Sequence, residues 1–557
     1  MSPSKTMRRT RGAGGSGLVC GGGLILALLA GACSNEVDVS FRLVPPCSDK
    51  AMLNGSNCAF IKVIISALDP NDPLSPGNPG GGPLSTTCQL AEGNCKIDGS
   101  ELIGTGRLVD VLCMPSVNVE PVARATSQSL LFDDSRDGVD GLRASLQLGK
   151  INEFTQATVI DPNAADFSEC SLMAENAGRY GHASVVLDDG RVLITGGIRR
   201  FGQGGVEEIL ATAEIFDPAT GNHRLVLGSD GQAAKMAASS GRAYHTMTRL
   251  RDGRVLIAGG VGLIDKRTAL RSAEIFDPAT ETFVSPMDMG AGRAHHAATM
   301  LATGSVLLTG GATYGNGTIN NYLDSGVIYN PADGSWTPVA NTMSAPRAFH
   351  QAVLLDPNTT QGKVLVAGGE NSNGTLSSVD IFNPNGLQFY ADVDVAMGAN
   401  RSRFCAVRLS SGRVMVAGGS TERDDPGTPD REFSPDTGVE IYDPVGGGSY
   451  GAFTADTINL QVARMDHTCH LLDTGHVLVA GGITGGGQAT ALGEIVRDDD
   501  NVYSVDQVPN QLDPARGLHS GVKLRNGWVL LTGGLANLAA SAALRESAFF
   551  VPPPSYP

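Results

Sequence analysis

From residue 178 onward, apolar runs of three or four residues recur between glycine-rich turns, as in Val192-Leu193-Ile194 and Val306-Leu307-Leu308. Short β-branched runs bounded by glycine predict strands rather than helices. The pattern is periodic. Its first element reads Arg-x-x-His, an apolar run, a tight turn, a second apolar run and Gly-Gly. The copies are GRYGHASVVLDDGRVLITGG from Gly178, GRAYHTMTRLRDGRVLIAGG from Gly241, GRAHHAATMLATGSVLLTGG from Gly292 and PRAFHQAVLLDPNTTQGKVLVAGG from Pro346. NRSRFCAVRLSSGRVMVAGG from Asn400, ARMDHTCHLLDTGHVLVAGG from Ala463 and ARGLHSGVKLRNGWVLLTGG from Ala515 bring the number to seven. A second element follows at variable distance, as AEIFDPATGN from Ala213 or GVIYNPADGSW from Gly326, often with an aromatic five residues after the proline (Phe283, Trp336, Phe389). Together they predict four strands per copy. Asp-Gly and Ser-Gly suit the first hairpin, and proline closes the third strand because it cannot continue a ladder.

Four-stranded sheets repeated in series predict a radial all-β ring, a β-propeller, which leaves only short strand edges exposed. The chain ends in SAFFVPPPSYP, one strand short of a full last blade, whereas ATVIDPNAADF from Ala157 matches the third-and-fourth-strand element ahead of the first copy. Segment 154–170 is therefore expected to complete the last of seven blades. Arg-x-x-His, Gly-Gly and the aromatic after Asp-Pro resemble the kelch repeat over residues 178–557. Phe404 departs from the pattern in the position of histidine, and the tryptophan position is mostly Phe, Tyr or polar.

Residues 33–150 lack the repeat. VDVSFRLV, AFIKVIISALD, LVDVLCMP and LRASLQLG alternate like strands, and six cysteines (Cys47, Cys58, Cys88, Cys95, Cys113, Cys170) cluster up to residue 170. The expectation is a small disulfide-containing β-sandwich-like domain. Six cysteines allow 15 pairings, with Cys47–Cys58, Cys88–Cys95 and Cys113–Cys170 as short-loop guesses. Cys405 and Cys469 lie at nearly equivalent places in adjacent repeats, which leaves open a bond or two buried thiols.

Residues 1–32 carry Lys5, Arg8, Arg9 and Arg11 and no acid, followed by an apolar run ending Leu29-Ala30-Gly31-Ala32-Cys33. A basic start and short apolar core read as an export signal. Small residues before Cys33 resemble the lipobox of bacterial lipoproteins, which implies cleavage before Cys33 and lipid on its thiol and new amine. Ser34 rather than an aspartate follows, which by the same resemblance implies the outer membrane. Removing residues 1–32 takes the formal charge from −16 to −20. Membrane attachment would therefore rest on the acyl chains, not on attraction to anionic lipid. The same acidity excludes general nucleic-acid binding, which needs basic surface. Hydrophobic residues at 41% exclude wholesale disorder.

Candidate chemistry is sparse. Loops between second and third strands (198–212, 261–272, 312–325, 370–378, 420–438, 483–492, 535–546) vary widely, whereas first turns are nearly all tight, so the variable-loop face is the expected binding face. Arg179, Arg242, Arg293, Arg347, Arg401, Arg464 and Arg516 are expected to ring the channel mouth on that face. They could bind an anion, but recurrence in every blade favours a structural role in satisfying carbonyls. The repeat histidines take the same reading, and His295-His296 is read as a strand pair pointing to opposite faces. Asp133, Ser135, Asp137 and Asp140 resemble part of a calcium loop, but Ala144 stands where the twelfth-position glutamate belongs. No catalytic residue, metal ligand set or cofactor motif is assigned.

The expected function is an envelope-anchored lipoprotein whose propeller binds a protein or glycan partner, without catalysis. The alternative is a carbohydrate-active propeller enzyme. The resemblance to kelch-type propellers brings in sialic-acid mutarotases and galactose-oxidase-like copper enzymes. The copper enzymes need a further domain that supplies a ligand, and this chain ends within its last blade, so that form ranks lower.

Overall fold

A computed structural model describes residues 153–553 apart from 158–170, 175–177, 202–205, 237–240, 263–266, 316, 392 and 424–432, and, before residue 153, strand segments only. Seven four-stranded antiparallel sheets make the propeller. In the first blade the inner strand Ala183–Val186 pairs with Val192–Thr195, which pairs with Ala213–Asp217, which pairs with the outer strand Asn222–Leu225. Every second strand (VLIT, VLIA, VLLT, VLVA, VMVA, VLVA, VLLT) is buried along its whole length. The reason is geometric. Alternate side chains of a strand point to opposite faces, and both faces meet a neighbouring blade. Leu193 packs with Val255 and Ile257 of the second blade, while Val192 and Ile194 pack with Trp528, Leu530 and Phe549 of the last. The core is thus seven interblade seams.

The ring closes by mixing the two ends of the repeat region. The last sheet runs Ser520–Lys523, Val529–Thr532, Ser547–Val551 and then Glu153–Gln156. Phe154 buries its ring against Phe550, with centroids 5.6 Å apart. Asn510 brackets Phe154, accepting from its N–H and donating to its carbonyl, both at 2.7 Å. Asn341 brackets Phe389 of an ordinary outer strand in the same way. The closing strand is therefore built as an outer strand. It lies upstream of the Asp161-Pro162 motif, because Ser547–Val551 fills the third-strand position; residues 158–170 lie outside the described residues.

Ahead of the propeller, Leu24–Ala30, Val37–Val44, Phe60–Ala67, Leu84–Gln89, Asn94–Ile97, Gly104–Met114, Ala123–Thr126, Leu130–Phe132 and Arg143–Lys150 join in one sheet of nine strands. It is mixed: Val37–Val44 runs antiparallel to Leu24–Ala30 and parallel to Arg143–Lys150. The apolar run read as a signal core thus supplies one of its strands. The cysteine side chains of this region, and the 133–140 loop, lie outside the described residues. Among the described residues, no helix is long and apolar enough to cross a membrane.

Candidate functional site at the propeller mouth

The seven repeat arginines are buried. Each donates from Nη1 to the carbonyl of the first glycine of its own Gly-Gly, at 2.7–3.1 Å. In five blades Nη2 also meets an acid on the third strand: Arg179 with Glu214, Arg242 with Glu274, Arg347 with Asp380, Arg401 with Glu440 and Arg464 with Glu494. Four of these acids reach further. Glu214, Asp380, Glu440 and Glu494 accept backbone N–H groups from the loop that enters the blade, at Ala174, Ser344, Gly398 and Gln461. Burial pushes the Glu214 carboxyl up, but Arg179, His223 and the Ala174 N–H outweigh it and hold the group well below the usual range. The arginines hold loops together within their blades and leave the channel mouth to other side chains.

Two blades lack the acid. Val327 and Ala548 occupy the register positions of Glu214. Burial lowers Arg293 and Arg516 to about 10.

The repeat histidines join neighbouring blades. His182 shares a hydrogen bond with Thr532, His245 with Thr195 and His350 with Thr309, at 2.8–3.0 Å. Where the preceding second strand ends in alanine, the partner is the preceding inner strand instead: Thr246 for His296 and Thr468 for His519. This explains Phe404. The blade before it ends its second strand in Ala367 and carries Gln351 on its inner strand, so no hydroxyl awaits a histidine. Burial, then the adjacent arginine, lowers His182, His296 and His467 to about 3. These rings are neutral, and they do not converge on a common point.

What lies at the mouth is the residue between arginine and histidine. Gly181, Tyr244, His295, Phe349, Arg403, Asp466 and Leu518 all have φ of 51–60°. Each donates its N–H to the carbonyl of its counterpart in the preceding blade, at 2.8–3.2 Å, and Gly181 closes the circle on Leu518. A wider circle surrounds it: the second glycine of each Gly-Gly donates to the repeat-arginine carbonyl of the next blade, Gly197 to Arg242 through Gly534 to Arg179. The glycine is required there, since a Cβ on Gly197 (φ 92°) would lie 2.8 Å from that of His182.

The inner collar carries a run of stacked, half-buried side chains. Tyr244 and His295 have centroids 4.5 Å apart, and His295 stacks on Phe349 at 4.0 Å. The Arg403 guanidinium lies 4.0 Å from the centre of the Phe349 ring and 3.4 Å from Asp466. Hairpins of the variable loops wall one side: Ile198–Phe201 with Val206–Ile209, Val261–Gly262 with Thr268–Ala269, Ala312–Gly315 with Thr318–Tyr322, and Glu370–Asn371 with Gly374–Thr375. They bring Tyr314 to 2.8 Å from His295 Nε2. They also link Arg200 and Arg267 through Glu207, which accepts from Tyr180. Burial, with the charge of Arg403, lowers His295 well below its ordinary value.

Glu370 stands out. Its counterparts after the Gly-Gly pairs are Ile198, Val261, Ala312, Ser420, Ile483 and Leu535, none of them ionisable. It is buried, accepts from Ser402 at 3.0 Å and Tyr322 at 3.3 Å, and lies 3.9 Å from Arg403. Burial raises its carboxyl above the ordinary range, with Arg403 opposing. A buried carboxyl pushed upward by desolvation at the mouth marks a candidate functional residue.

Sequence reading did not single out these residues. His295 is not one of an idle strand pair: it sits in left-handed backbone, stacked at the mouth, while His296 joins blades. Loop 420–438 places Phe433 5.5 Å from Arg403, and Arg423 donates to Ser372 at 3.0 Å; residues 424–432 lie outside the described residues. Asp498-Asp499-Asp500 ends a strand and enters a tight hairpin with Asp500 and Asn501 at positive φ. Cys33 lies outside the described residues.

No protein-family model matches the chain. Over 110 residues it is 29% identical to the F-box/kelch-repeat protein SKIP20 of Arabidopsis thaliana, covering 19% of this chain and 25% of that protein. The chain thus spans about a quarter of the length of the curated relative it matches. Solved structures similar in fold include YjhT (16% identity, TM-score 0.43, 60% of this chain and 99% of that one). Another is a copper-bound fungal alcohol oxidase of the AA5 family (14% identity, TM-score 0.48, 68% of this chain and 75% of that one). With its repeats falling one to a blade around a closed ring of seven, the chain is a kelch-repeat β-propeller.

Proposed function

We propose that the protein is a lipid-anchored component of the bacterial envelope that binds a glycan or protein partner at the variable-loop mouth, without catalysis. One observation carries the binding reading. Within a motif whose arginine recurs in all seven copies and whose histidine recurs in six, the collar residue between them changes chemistry from blade to blade. Equal backbones bearing Tyr, His, Phe, Arg and Asp make an asymmetric surface, as recognition of one orientation of a ligand requires. Aromatic faces with a flanking guanidinium and carboxylate suit a sugar ring and its hydroxyls, which favours the glycan. The anchor rests on the sequence up to Cys33. Cleavage there would remove strand Leu24–Ala30 and leave Val37–Val44 paired with Arg143–Lys150 alone.

The test is a glycan array and envelope-protein pulldown with the mature chain, beside Phe349→Ala and a form with loop 420–438 shortened. Retained partners that Phe349→Ala weakens at least tenfold support the reading; partners unaffected by both changes move the site off the mouth. For the anchor, the mass of the mature N-terminus should show acylated Cys33.

A second reading, a carbohydrate-active enzyme of mutarotase type, draws on Glu370. A carboxyl that burial pushes above its ordinary range, at the mouth beside Arg403, could exchange a proton with a sugar ring oxygen. Anomer exchange followed by NMR with sialic acid or galactose, lost in Glu370→Gln, would support it.

A further inference from the structure

Cys405 and Cys469 form a disulfide across the seam between two neighbouring inner strands, and His467 Nε2 lies 3.2 Å from Cys405 Sγ. We infer that reduction of this disulfide creates a metal site for a soft divalent or monovalent ion such as Zn2+ or Cu+, with Cys405, Cys469 and His467 as ligands. Among the described residues these three bring their ligand atoms within 4.8 Å of one another. Two thiolates and an imidazole are the donor set that such ions prefer, at metal–sulfur distances of about 2.3 Å and metal–nitrogen distances of about 2.0 Å. Opening the S–S bond frees both sulfurs, and His467 already faces Cys405. Three protein ligands leave a fourth position for water. Cys469 is half-buried, which gives the ion a path in, while Cys405 and His467 are buried.

The position of His467 supports the inference. In other blades the histidine meets a threonine hydroxyl; here Ala417 ends the second strand, and Nε2 has the Ala417 carbonyl at 3.1 Å and sulfur beside it. Nδ1 is buried without a partner, so the ring proton can move there and free Nε2. The steps balance. A dithiol reductant gives two electrons: one of its thiolates attacks a cysteine sulfur, its second thiol closes its own disulfide, and Cys405 and Cys469 are released as thiols. The ion then displaces both thiol protons to solvent.

The experiment uses the full chain, reduced with a dithiol, desalted without oxygen and titrated with Co2+ alone. The comparison forms are the air-oxidised chain, the Cys405→Ala/Cys469→Ala double variant and His467→Gln. The reduced chain should take up one more Co2+ than the double variant, with thiolate-to-cobalt absorption and tetrahedral d–d bands that Zn2+ abolishes. The oxidised chain should lack that increment, and His467→Gln should weaken it at least tenfold. Equal uptake by the double variant would assign the metal to the eight other cysteines and overturn the inference. So would an unchanged spectrum in His467→Gln, the arm that decides if the double variant does not fold.

Discussion

Phe349 donates its backbone N–H to the carbonyl of His295 at 3.0 Å, and the two rings stack with centroids 4.0 Å apart. One relationship thus serves two purposes. The hydrogen bond belongs to the circle that joins adjacent blades, and the stack belongs to the surface at the mouth. The left-handed backbone makes both possible, at a cost of about 1 kcal/mol for a residue with a Cβ. Six of the seven collar positions bear that cost, and only the first is glycine.

Gly181→Ala tests how tightly the collar is built. Its φ is 60°, and an added Cβ would fall 2.6 Å from the Tyr244 ring. Backbone cost and displacement of Tyr244 together should lower stability by about 1–3 kcal/mol. Urea unfolding measures the loss. A neutral result would mean that Tyr244 moves freely and does not hold the stack with His295.

The blades with and without a third-strand acid should respond differently to loss of the arginine. Arg179→Met leaves Glu214 buried without its main counter-charge, whereas Arg293→Met faces Val327 and leaves two carbonyls and the Ser325 hydroxyl. Removing one partner of a buried ion pair costs about 3–5 kcal/mol, against about 1–3 kcal/mol for unpaired polar groups. Arg179→Met should therefore melt at the lower temperature. Equal melting points would mean that the acid adds nothing to the carbonyl contacts.

The repeat residues were legible because each copy satisfies the same backbone groups; the number of blades and their inner two strands could be read from Arg, His and Gly-Gly. The collar was not legible for the opposite reason. Gly, Tyr, His, Phe, Arg, Asp and Leu in one position look like unconstrained variation until the hydrogen-bonded circle shows the position to be fixed. Glu370 escaped notice because Ser402 and Tyr322 reach it from neighbouring blades, a proximity that no local spacing carries. The closing strand fell at Glu153–Gln156 because the third strand beside it, SAFFV, has no Asp-Pro to mark it.

Acid should destabilise the propeller in a defined window. His182, His296 and His467 titrate near 6.5 when unfolded and about 3 in the fold, since burial and adjacent arginines disfavour the cation. Between those values the unfolded chain binds more protons. Stability is therefore full above 6.5 and falls as pH drops through that value toward 3, by up to about 1.4 kcal/mol per pH unit for each histidine. Melting temperatures between pH 7 and 5, above the range where most carboxylates titrate, isolate this contribution. The slope should shrink in His182→Asn; an unchanged slope would assign the acid sensitivity to other groups.

Phe404 allows the interblade histidine bond to be rebuilt where it is absent. Phe404→His alone replaces a buried ring with a smaller polar one facing Ala367, and should cost about 3 kcal/mol or more through lost packing and an unpaired ring nitrogen. Ala367→Thr alone buries a hydroxyl with no histidine to meet it. Together they recreate the pairing of Thr195 with His245, which spans 2.8 Å. The double variant should be more stable than the sum of the single losses by about 1 kcal/mol, the net value of a buried hydrogen bond. A cycle in urea reads that coupling directly. Strict additivity would mean that the threonine–histidine bond depends on features of the other seams, such as Met247 beside Thr195, and not on the two residues alone.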